Sequence, residues 1–433
     1  MKNIKEGKSP KEVKPKKQVK PKKVEEISES INVWDKSIEV ESNFYNWDGA
    51  PIITLSKEQS KNTKLLHIDL FSGCGGFSTG FELAGFTTEL AVDIHPPSLE
   101  TLRANHKHAT TILGDIRKVT CKDIKNSLTN TAVPTVITAG VPCQGFSLAN
   151  RKRNADDKRN FLFKEFIRIA KELKPTAVVL ENVSGLISTK DGEFKIAISE
   201  AISELGYEVH FALLNAVDYG VPQKRRRVFF VGVPKGVKWF FPKKTHGIGT
   251  GKLYVSVKDA ILGDLPALNA NESSEKYNGK PNNEYEIYIR GNVTELANHQ
   301  APNHPPETIQ RIKDTLPGSP MYSDFKQRIR LHPNDPSPTQ ICGGIRPQFQ
   351  FGHPTQSRGL TIRERARIQS FPDSYFFTGG VTQGRVQTGN AVPPLLAQVL
   401  ADQLAKVLLG QEVTGDPGET LQKDLFDLNS ILY

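Results

Sequence analysis

The chain has 433 residues, which is enough for two or three domains and a sizeable hydrophobic core. Its composition is that of an ordinary folded protein, and no apolar run is long enough to cross a membrane, so a membrane protein is excluded. The N-terminus lacks the apolar core of a secretory signal, and the four cysteines are scattered without a Cys-x-x-Cys pair. We therefore expect no metal site and no disulfide framework, and we expect a cytoplasmic, reducing compartment.

The positive charge is concentrated at the N-terminus. Residues 1–23 contain ten Lys and two Glu, which accounts for +8 of the formal net charge of +10. Because this Lys-Pro-rich stretch cannot bury enough apolar surface to fold, we predict a disordered tail over residues 1–25. The tail either binds nucleic acid as a polyelectrolyte or is simply solvated, and both interpretations stay open.

Residues 26–63 have a different composition from the tail, since they contain Trp34, Phe44, Tyr45 and Trp47. Disordered segments are poor in such residues. We predict an N-terminal extension that is partly ordered, with about 31–55 packed on the domain that follows.

The first strong element is a strand over Leu65–Phe71, followed by a glycine turn and a helix over Phe77–Ala84. This order is typical of the first unit of a nucleotide-binding sheet, because glycines let backbone N–H groups approach a ligand closely. The spacing departs from Gly-x-Gly-x-x-Gly, since Ser78 stands at the third glycine position. A dinucleotide is therefore disfavoured.

Two more strands each deliver an acid to the same edge of the predicted sheet. A strand over Thr87–Val92 is followed by Asp93, which could accept hydrogen bonds from ribose hydroxyls or could cap the next helix. A strand over Thr110–Leu113 is followed by Asp115, which could accept a hydrogen bond from an adenine amino group.

A cysteine follows the next strand. The apolar run Pro134–Ala139 leads into Gly140–Ser147, which places Cys143 at the carboxyl end of a strand, where open α/β sheets bind ligands. A single free cysteine is more often a small buried apolar residue than a nucleophile. The basic stretch Asn150–Asn154 follows closely enough to hold phosphates as a lid.

A carboxylate and two arginines are predicted at the same edge. A helix over Phe161–Leu173 and a strand over Thr176–Leu180 lead to Glu181. After a helix over 194–205 and a strand over 207–214, Arg225 and Arg227 enter a strand over 228–233. Alternate residues of a strand share a face, so we predict that the two guanidinium groups point the same way, as an anion or carbonyl site.

From about residue 235 the alternation of strands and helices stops. Residues 235–356 are rich in Pro, Asn, Gly and His, which predicts an inserted, loop-rich domain with short strands. Its residues suited to surface contacts are Arg311, Arg328, Arg330, Arg346, Gln348 and Gln350. A helix start with a Thr361–Glu364 capping box follows, and a last helix is predicted over Leu395–Leu409.

The order of these motifs resembles the DNA (cytosine-5) methyltransferase family. Six blocks match in the family's order, with a variable insert between the fourth and fifth: Asp69–Gly76, Pro142–Ser147, Glu181–Val183, Gln223–Arg227, Arg363–Pro372 and Gly389–Pro393. The resemblance implies an α/β fold, with a Rossmann-like, S-adenosylmethionine-dependent methyltransferase sheet, helices on both faces and a smaller loop-rich target recognition domain. It places the catalytic domain at residues 64–234 and 357–433, and the target recognition domain at 235–356.

The resemblance also implies roles for individual residues. Cys143 resembles the nucleophile, Glu181 the acid beside the base, and Arg225 and Arg227 the pair around the pocket. The S-adenosyl-L-methionine contacts that it implies are Phe71, Ser72, Gly73, Cys74, Gly75, Gly76, Asp93, Ile94, Asp115, Ile116, Pro142, Asn390 and Ala391. The DNA contacts expected in addition are Gln144, Ser147, Arg151, Lys152, Arg153 and Arg346. The chain departs from the family in having Asp93 where Glu is usual and His95 where Asp is frequent.

The implied reaction is methyl transfer to C5 of a cytosine flipped out of a specific duplex sequence, through a covalent Cys143–C6 intermediate. The expected partner is double-stranded DNA, with a cognate restriction endonuclease that forms no direct complex. We expect a monomer at the nucleoid of a bacterium.

Three alternatives stay open at this point. An RNA cytosine-5 methyltransferase typically has Thr where Ser147 stands and has a smaller target domain. A non-catalytic DNA-binding homologue is disfavoured by the intact Cys143, Glu181 and Arg227. An NAD-dependent oxidoreductase is disfavoured by the missing third glycine.

Overall fold

A computed structural model describes residues 49–56, 65–128, 135–142, 162–187, 192–342 and 350–420, all of which belong to one compact unit. The strands of this part are β1 Ile52–Thr54, β2 Leu66–Leu70, β3 Thr87–Asp93, β4 Thr110–Leu113, β5 Val136–Gly140, β6 Ala177–Val183, β7 Tyr207–Asn215, β8 Gln223–Lys224, β9 Arg226–Pro234, β10 Ile329–Arg330, β11 Ser337–Pro338 and β12 Phe351–Gly352. Its helices are α1 Gly76–Leu83, α2 Pro96–Asn105, α3 Cys121–Ser127, α4 Phe163–Leu173, α5 Glu193–Ser203, α6 Val257–Ile261, α7 Glu284–Arg290, α8 Pro306–Asp314, α9 Ile362–Ile368, α10 Gly380–Asn390 and α11 Pro394–Leu408. Within these ranges no helix has the length and apolar character to span a membrane.

Eight strands form one mixed sheet in the order β1-β4-β3-β2-β5-β6-β9-β7. The five strands β4, β3, β2, β5 and β6 run parallel to one another. At one end of the sheet β1 pairs antiparallel with β4, and at the other end β9 pairs antiparallel with both β6 and β7. The central strands β2 and β5 are almost wholly buried, as is usual for the middle of a parallel sheet, and the polar side chains of His67 and Asp69 in β2 are buried with them. The parallel order brings the carboxyl ends of β2, β3, β4, β5 and β6 to one edge of the sheet.

Helices cover both faces of the sheet, as predicted. Alternate strand residues separate into two cores, with Leu180 and Phe230 on one face and Val179 and Phe229 on the other. Helices α3, α4 and α5 contribute to the first core, and α1 and α11 contribute to the second. The α/β sheet predicted from the sequence is therefore confirmed.

Helix α1 packs unusually closely on α11, because two of its contact residues are glycines. A Cβ on Gly80 would lie 2.5 Å from both Ala397 Cβ and Pro394 O. A Cβ on Gly76 would lie 2.3 Å from Val392 O. The C-terminal part of the chain is thus fixed against the start of the first helix.

Two strands differ from the sequence prediction in a way that affects the site. Strand β6 continues past Leu180, since Glu181, Asn182 and Val183 pair with β9. Strand β9 begins at Arg226 because its first residues pair with both β6 and β7. Glu181 and Arg227 are therefore held by strand backbone.

Region 235–356 contains more helix than the sequence predicted. Its strands are two residues long, and it contains α6, α7 and α8. The side chain of Ser256 caps α6 in a capping box with Asp259, and Asn283 caps α7. These caps were readable in the sequence as Ser-x-x-Asp and Asn-x-x-Glu. The boundaries of the target recognition domain stay a prediction.

The N-terminal extension reaches the sheet through β1. Its strand pairs antiparallel with β4, and Ile52 lies opposite Leu113. Pro51 lies against Gly114, where an added Cβ would be 3.2 Å from the proline. The remaining residues of the predicted extension lie outside the described ranges.

Candidate active site

Glu181 lies where β2, β5 and β6 end together. Gly140 of β5 pairs with Glu181 of β6. A Cβ on Gly140 would lie 3.8 Å from Glu181 Oε2 and 3.7 Å from the carbonyl oxygen of Phe71. The Glu181 carboxylate therefore lies close to the end of β5, three residues before Cys143.

Arg227 holds this carboxylate. Its Nε donates to Glu181 Oε1 at 2.7 Å, and both side chains are largely buried. Burial raises the pKa of the Glu181 carboxyl, although the charges of Arg227 and Arg225 partly oppose that rise. A buried carboxyl with a raised pKa can donate a proton or a hydrogen bond to a ligand near neutral pH.

Arg225 has different contacts from Arg227. One terminal nitrogen donates to the carbonyl of Gln340 at 2.9 Å and the other to the carbonyl of Gly389 at 3.1 Å. Both arginine charges act on the pKa of Glu181, but Arg225 hydrogen-bonds backbone. The sequence predicted the two arginines as a pair around the pocket, and in the structure Arg227 binds Glu181 whereas Arg225 binds backbone carbonyls.

The glycine turn after β2, here called the cofactor loop (Phe71–Gly76), has an unusual backbone. Phe71 has φ 56°, Gly73 has φ 53° and Gly75 has φ 90°. Such values are costly for a residue like Phe71 and persist only where surrounding contacts enforce them.

Asp93 fixes the loop from the end of β3. The N–H of Gly73 donates to Asp93 Oδ2 at 2.7 Å, and the N–H of His95 donates to Oδ1 at 2.8 Å. Burial raises the pKa of the Asp93 carboxyl. Asp69 accepts from the N–H and the hydroxyl of Ser78, and it thereby fixes the start of α1.

Two features of the cofactor loop suit a polar ligand such as S-adenosyl-L-methionine. The hydroxyl of Ser72 is buried and has no hydrogen-bond partner among the described residues. Apart from its two chain neighbours, no atom of the described residues lies within 4 Å of the position that a Cβ on Gly73 would take. An orphaned donor and open space beside it suit a polar ligand.

The side chains of two other predicted cofactor residues, Cys74 and Asp115, already have partners within the protein. The thiol of Cys74 is buried in a cluster with Ile362, Phe371 and Tyr375, and burial raises its pKa. Only the backbone of Cys74 is therefore suited to a ligand contact. Asp115 is in a bidentate pair with Arg117, whose Nε lies 2.9 Å from both carboxylate oxygens.

The remaining predicted cofactor residues surround the same edge. Ile94 follows Asp93, and the buried Ile116 follows Asp115. Pro142 follows β5, and the exposed Asn390 ends α10. The carbonyl of Ala391 accepts from the side chain of Gln369 at 2.5 Å.

Several predicted residues lie outside the described ranges, and the structure gives no account of them. These are Cys143, Gln144, Ser147, Arg151, Lys152, Arg153 and Arg346. Two residues expected as surface contacts of region 235–356 are instead bound internally. Arg330 donates to the carbonyls of Ile312 and Thr315, and Gln350 pairs with the backbone of Thr339 and Ile341.

The sequence prediction missed a buried glutamine network behind the arginines. Gln223 Oε1 accepts from the N–H of Gln340 at 2.9 Å, and its Nε2 donates to Gln369 Oε1 at 2.5 Å. Gln340 Nε2 donates to the carbonyl of Arg365 at 2.9 Å. Gln223 and Gln369 lie in blocks that match the family, whereas Gln340 carried no signal in the sequence.

Comparison with known proteins places the chain in a family. It matches the family model described as C-5 cytosine-specific DNA methylase over residues 65–406. It is 38% identical over 365 residues to Type II methyltransferase M1.HphI of Haemophilus parahaemolyticus, covering 82% of this chain and 90% of that protein. It is 38% identical over 372 residues to Type II methyltransferase M.DdeI of Desulfomicrobium norvegicum, covering 78% and 88%.

Solved structures agree with this family. A protein described as a DNA modification methyltransferase encoded within an Escherichia coli prophage aligns with TM-score 0.68 and 28% identity, over 80% of this chain and 100% of that one. A DNMT2 variant of Spodoptera frugiperda shares the fold, with TM-score 0.53 and 16% identity over 80% of this chain and 100% of that one. The methyl donor is S-adenosyl-L-methionine. The chain belongs to the C-5 cytosine-specific DNA methylase family and is a DNA (cytosine-5) methyltransferase.

Proposed function

We propose that this chain methylates one cytosine within a short duplex sequence, as the modification enzyme of a restriction-modification system. The support is the 38% identity to proteins named Type II methyltransferases. One geometric observation carries the catalytic assignment: Glu181, paired with Arg227, lies beside Gly140, three residues before Cys143.

We assign the cofactor site to the carboxyl ends of β2, β3 and β4. When bound there, S-adenosyl-L-methionine supplies an electrophilic methyl group. Asp93 and the cofactor loop would hold its ribose and methionine parts. Asp115 and Ile116 would lie toward its adenine, and Pro142, Asn390 and Ala391 would complete the site.

Cys143 is the proposed nucleophile. Cytosine C5 reacts poorly because the ring is aromatic, and addition of a thiolate at C6 builds electron density at C5. The S–C6 bond would form first, and C5 would then take the methyl group as the sulfonium C–S bond breaks and S-adenosyl-L-homocysteine leaves. Loss of the C5 proton to a base, for which we propose water, breaks the S–C6 bond and regenerates the thiolate. A free thiol has a pKa of about 8.5, and arginine charge close to the thiol would favour the thiolate.

Glu181 and Arg227 would stabilise the base during that addition. Negative charge develops on N3 and O2 of the cytosine when the thiolate adds. The Glu181 carboxyl, whose pKa is raised by burial, would protonate or hydrogen-bond N3. Arg227 would keep Glu181 in place and donate to O2, whereas Arg225 would act through the backbone that it binds.

DNA recognition would require base flipping, because the reacting atoms are inaccessible within a duplex. The loop Ser147–Asp157 would close over the flipped base, with phosphate contacts from Arg151, Lys152 and Arg153. Gln144 and Ser147 would contact the DNA near the target. Residues 235–356, with Arg346, would read the flanking bases in the major groove.

The biological setting is part of this proposal. The partner would be double-stranded DNA, with a cognate restriction endonuclease that forms no direct complex. We propose a monomer located at the bacterial nucleoid, in the cytoplasm.

Methylation-resolved sequencing tests the proposal. Plasmid DNA from cells expressing the chain is compared with DNA from cells expressing Cys143→Ala. We expect 5-methylcytosine at one short recurring sequence, absent with the variant. Unmodified plasmid DNA from cells that contain folded wild-type protein would contradict the proposed DNA substrate and would direct the search to RNA.

A further inference from the structure

The cofactor loop is held from behind by a tyrosine that comes from the far end of the chain. Tyr375 is buried, and its hydroxyl donates to the carbonyl of Cys74 in the middle of the loop. A Cβ on Gly75 would lie 2.7 Å from the Tyr375 hydroxyl and 3.2 Å from His106. The hydroxyl therefore contacts the loop at the turn that only glycine permits.

The segment that carries Tyr375 (Phe371–Thr378) is fixed on two sides. Asn105 of α2 exchanges two hydrogen bonds with the backbone of Phe376, each at 2.8 Å. Asn298 of region 235–356 does the same with the backbone of Phe377, at 2.8 and 2.9 Å. This position of the tyrosine is thus set by both the sheet domain and region 235–356.

A buried arginine adds a third restraint. Arg363 of α9 donates to the carbonyl of Tyr375 at 2.7 Å and to the carbonyl of Pro372 at 3.1 Å. It also donates to Ala297 at 2.9 Å, beside Asn298. Asn298 itself has φ 60°, an unusual value for a residue other than glycine.

We infer that Tyr375 is a positioning residue that holds the cofactor loop in its ligand-binding conformation. The loop needs external anchors because Phe71 has φ 56°, which is costly for a residue other than glycine, and because Gly73 and Gly75 leave the backbone free to adopt other conformations. Asp93 anchors it at the N–H of Gly73, and Tyr375 anchors it at the carbonyl of Cys74. Loss of either anchor lets the loop populate other conformations, which reduces affinity in proportion to the competent fraction.

The chain offers a matched control for this inference. Tyr285 is also buried, and its hydroxyl donates to the carbonyl of Arg367 at 2.5 Å. It packs in the core of region 235–356, whereas Tyr375 packs with Cys74 in the cluster behind the loop. Tyr375→Phe and Tyr285→Phe each remove one buried tyrosine-to-carbonyl hydrogen bond, so their effects on stability should be similar.

Calorimetric titration with S-adenosyl-L-homocysteine tests the inference, which rests on the cofactor site proposed above. We expect the Kd to rise about tenfold in Tyr375→Phe, the equivalent of one hydrogen bond, and to stay within about twofold of wild type in Tyr285→Phe. The KM for S-adenosyl-L-methionine should rise in Tyr375→Phe while kcat stays within about twofold. Equal Kd values in wild type and Tyr375→Phe would overturn the inference.

Two further outcomes are informative. Absence of binding by folded wild-type protein would contradict the proposed cofactor site instead of the role of Tyr375. If Tyr375→Phe does not fold, Asn105→Ala loosens the same segment from its exposed side. A weaker affinity in that variant supports the inference, and an unchanged affinity overturns it.

Discussion

Arg225 and Arg227 are two residues apart, yet Arg227 binds the Glu181 carboxylate whereas Arg225 binds the carbonyls of Gln340 and Gly389. Arg225 therefore joins β9 to two distant segments. A Cβ on Gly389 would lie 2.4 Å from the N–H nitrogen of Cys342, so these segments are in direct contact. Arg225, which immediately precedes β9, thus fixes the start of the strand that carries Arg227.

Replacing Arg225 should mainly affect stability. Arg225→Met removes two charge-assisted hydrogen bonds and leaves buried carbonyls without a donor, so we expect the free energy of unfolding to fall by about 3 kcal/mol. Urea denaturation measures this change. Arg226→Met, at the exposed position between the two arginines, should stay within about 0.5 kcal/mol of wild type. Equal changes in the free energy of unfolding for the two substitutions would contradict a structural role for Arg225.

The raised pKa of Glu181 predicts that methyl-transfer activity falls on the high-pH side of its pH profile. Because burial raises this pKa, the protonated carboxyl persists to higher pH than an ordinary glutamate, and activity should fall as pH rises through the raised value. Glu181→Gln should lower kcat by roughly 10²–10⁴-fold and abolish that descending side. Single-turnover rates across pH measure both effects. Glu200→Gln, on the exposed side of α5, serves as the control. If the activity of Glu181→Gln still falls at high pH, that fall reports the titration of another group.

Cys143 should be essential for turnover and dispensable for binding. Cys143→Ala removes the proposed nucleophile, so 5-methylcytosine formation should fall to background while the Kd for cognate duplex stays within about threefold. Tritium transfer from labelled S-adenosyl-L-methionine and gel-shift titration measure the two quantities. Cys121→Ala, at the buried first residue of α3, should retain activity. Substantial methylation by Cys143→Ala would refute the covalent mechanism.

A buried ion cluster at α9 should control acid stability. Although burial opposes it, hydrogen bonds and charge from Arg367 hold the pKa of Asp373 below its usual range. A carboxyl with a lowered pKa contributes stability above its unfolded pKa of about 3.9, and this contribution is lost as pH falls through the folded value. Asp373→Asn should therefore cost roughly 3–5 kcal/mol at pH 7 and less at lower pH.

Urea unfolding at several pH values below neutrality tests this cluster. Asp335→Asn provides the control, because that carboxylate is largely exposed and pairs with the half-exposed His332. A destabilisation by Asp373→Asn that does not depend on pH would exclude titration of this carboxyl as the cause.

The close packing of α1 on α11 predicts a steric effect. Gly80→Ala would place a methyl group 2.5 Å from Ala397 Cβ and from a backbone oxygen, so we expect a loss of roughly 1–3 kcal/mol despite the better helix propensity of alanine. Thermal denaturation measures it. Leu83→Ala, on the exposed side of the same helix, should have a much smaller effect. A stabilised Gly80→Ala protein would show that the two helices can separate without cost.

The sequence by itself determined the features that depend on local pattern. Continuous apolar runs predicted the parallel strands, and the acids and glycines after them predicted where Asp93 and Glu181 lie. The Thr361–Glu364 capping box is present as predicted, since its partners are three residues apart. Motif order indicated the family before any contact was known.

Only the tertiary structure decided how these elements hold one another. Three such features depend on residues that are far apart in the chain. They are the extension of β6 through Glu181, the different hydrogen-bond partners of Arg225 and Arg227, and the contact of Tyr375 with Cys74. Periodicity and capping report only on neighbours within a few residues. A hydrogen bond between residues 74 and 375 depends on how the intervening chain packs, so no local pattern encodes it.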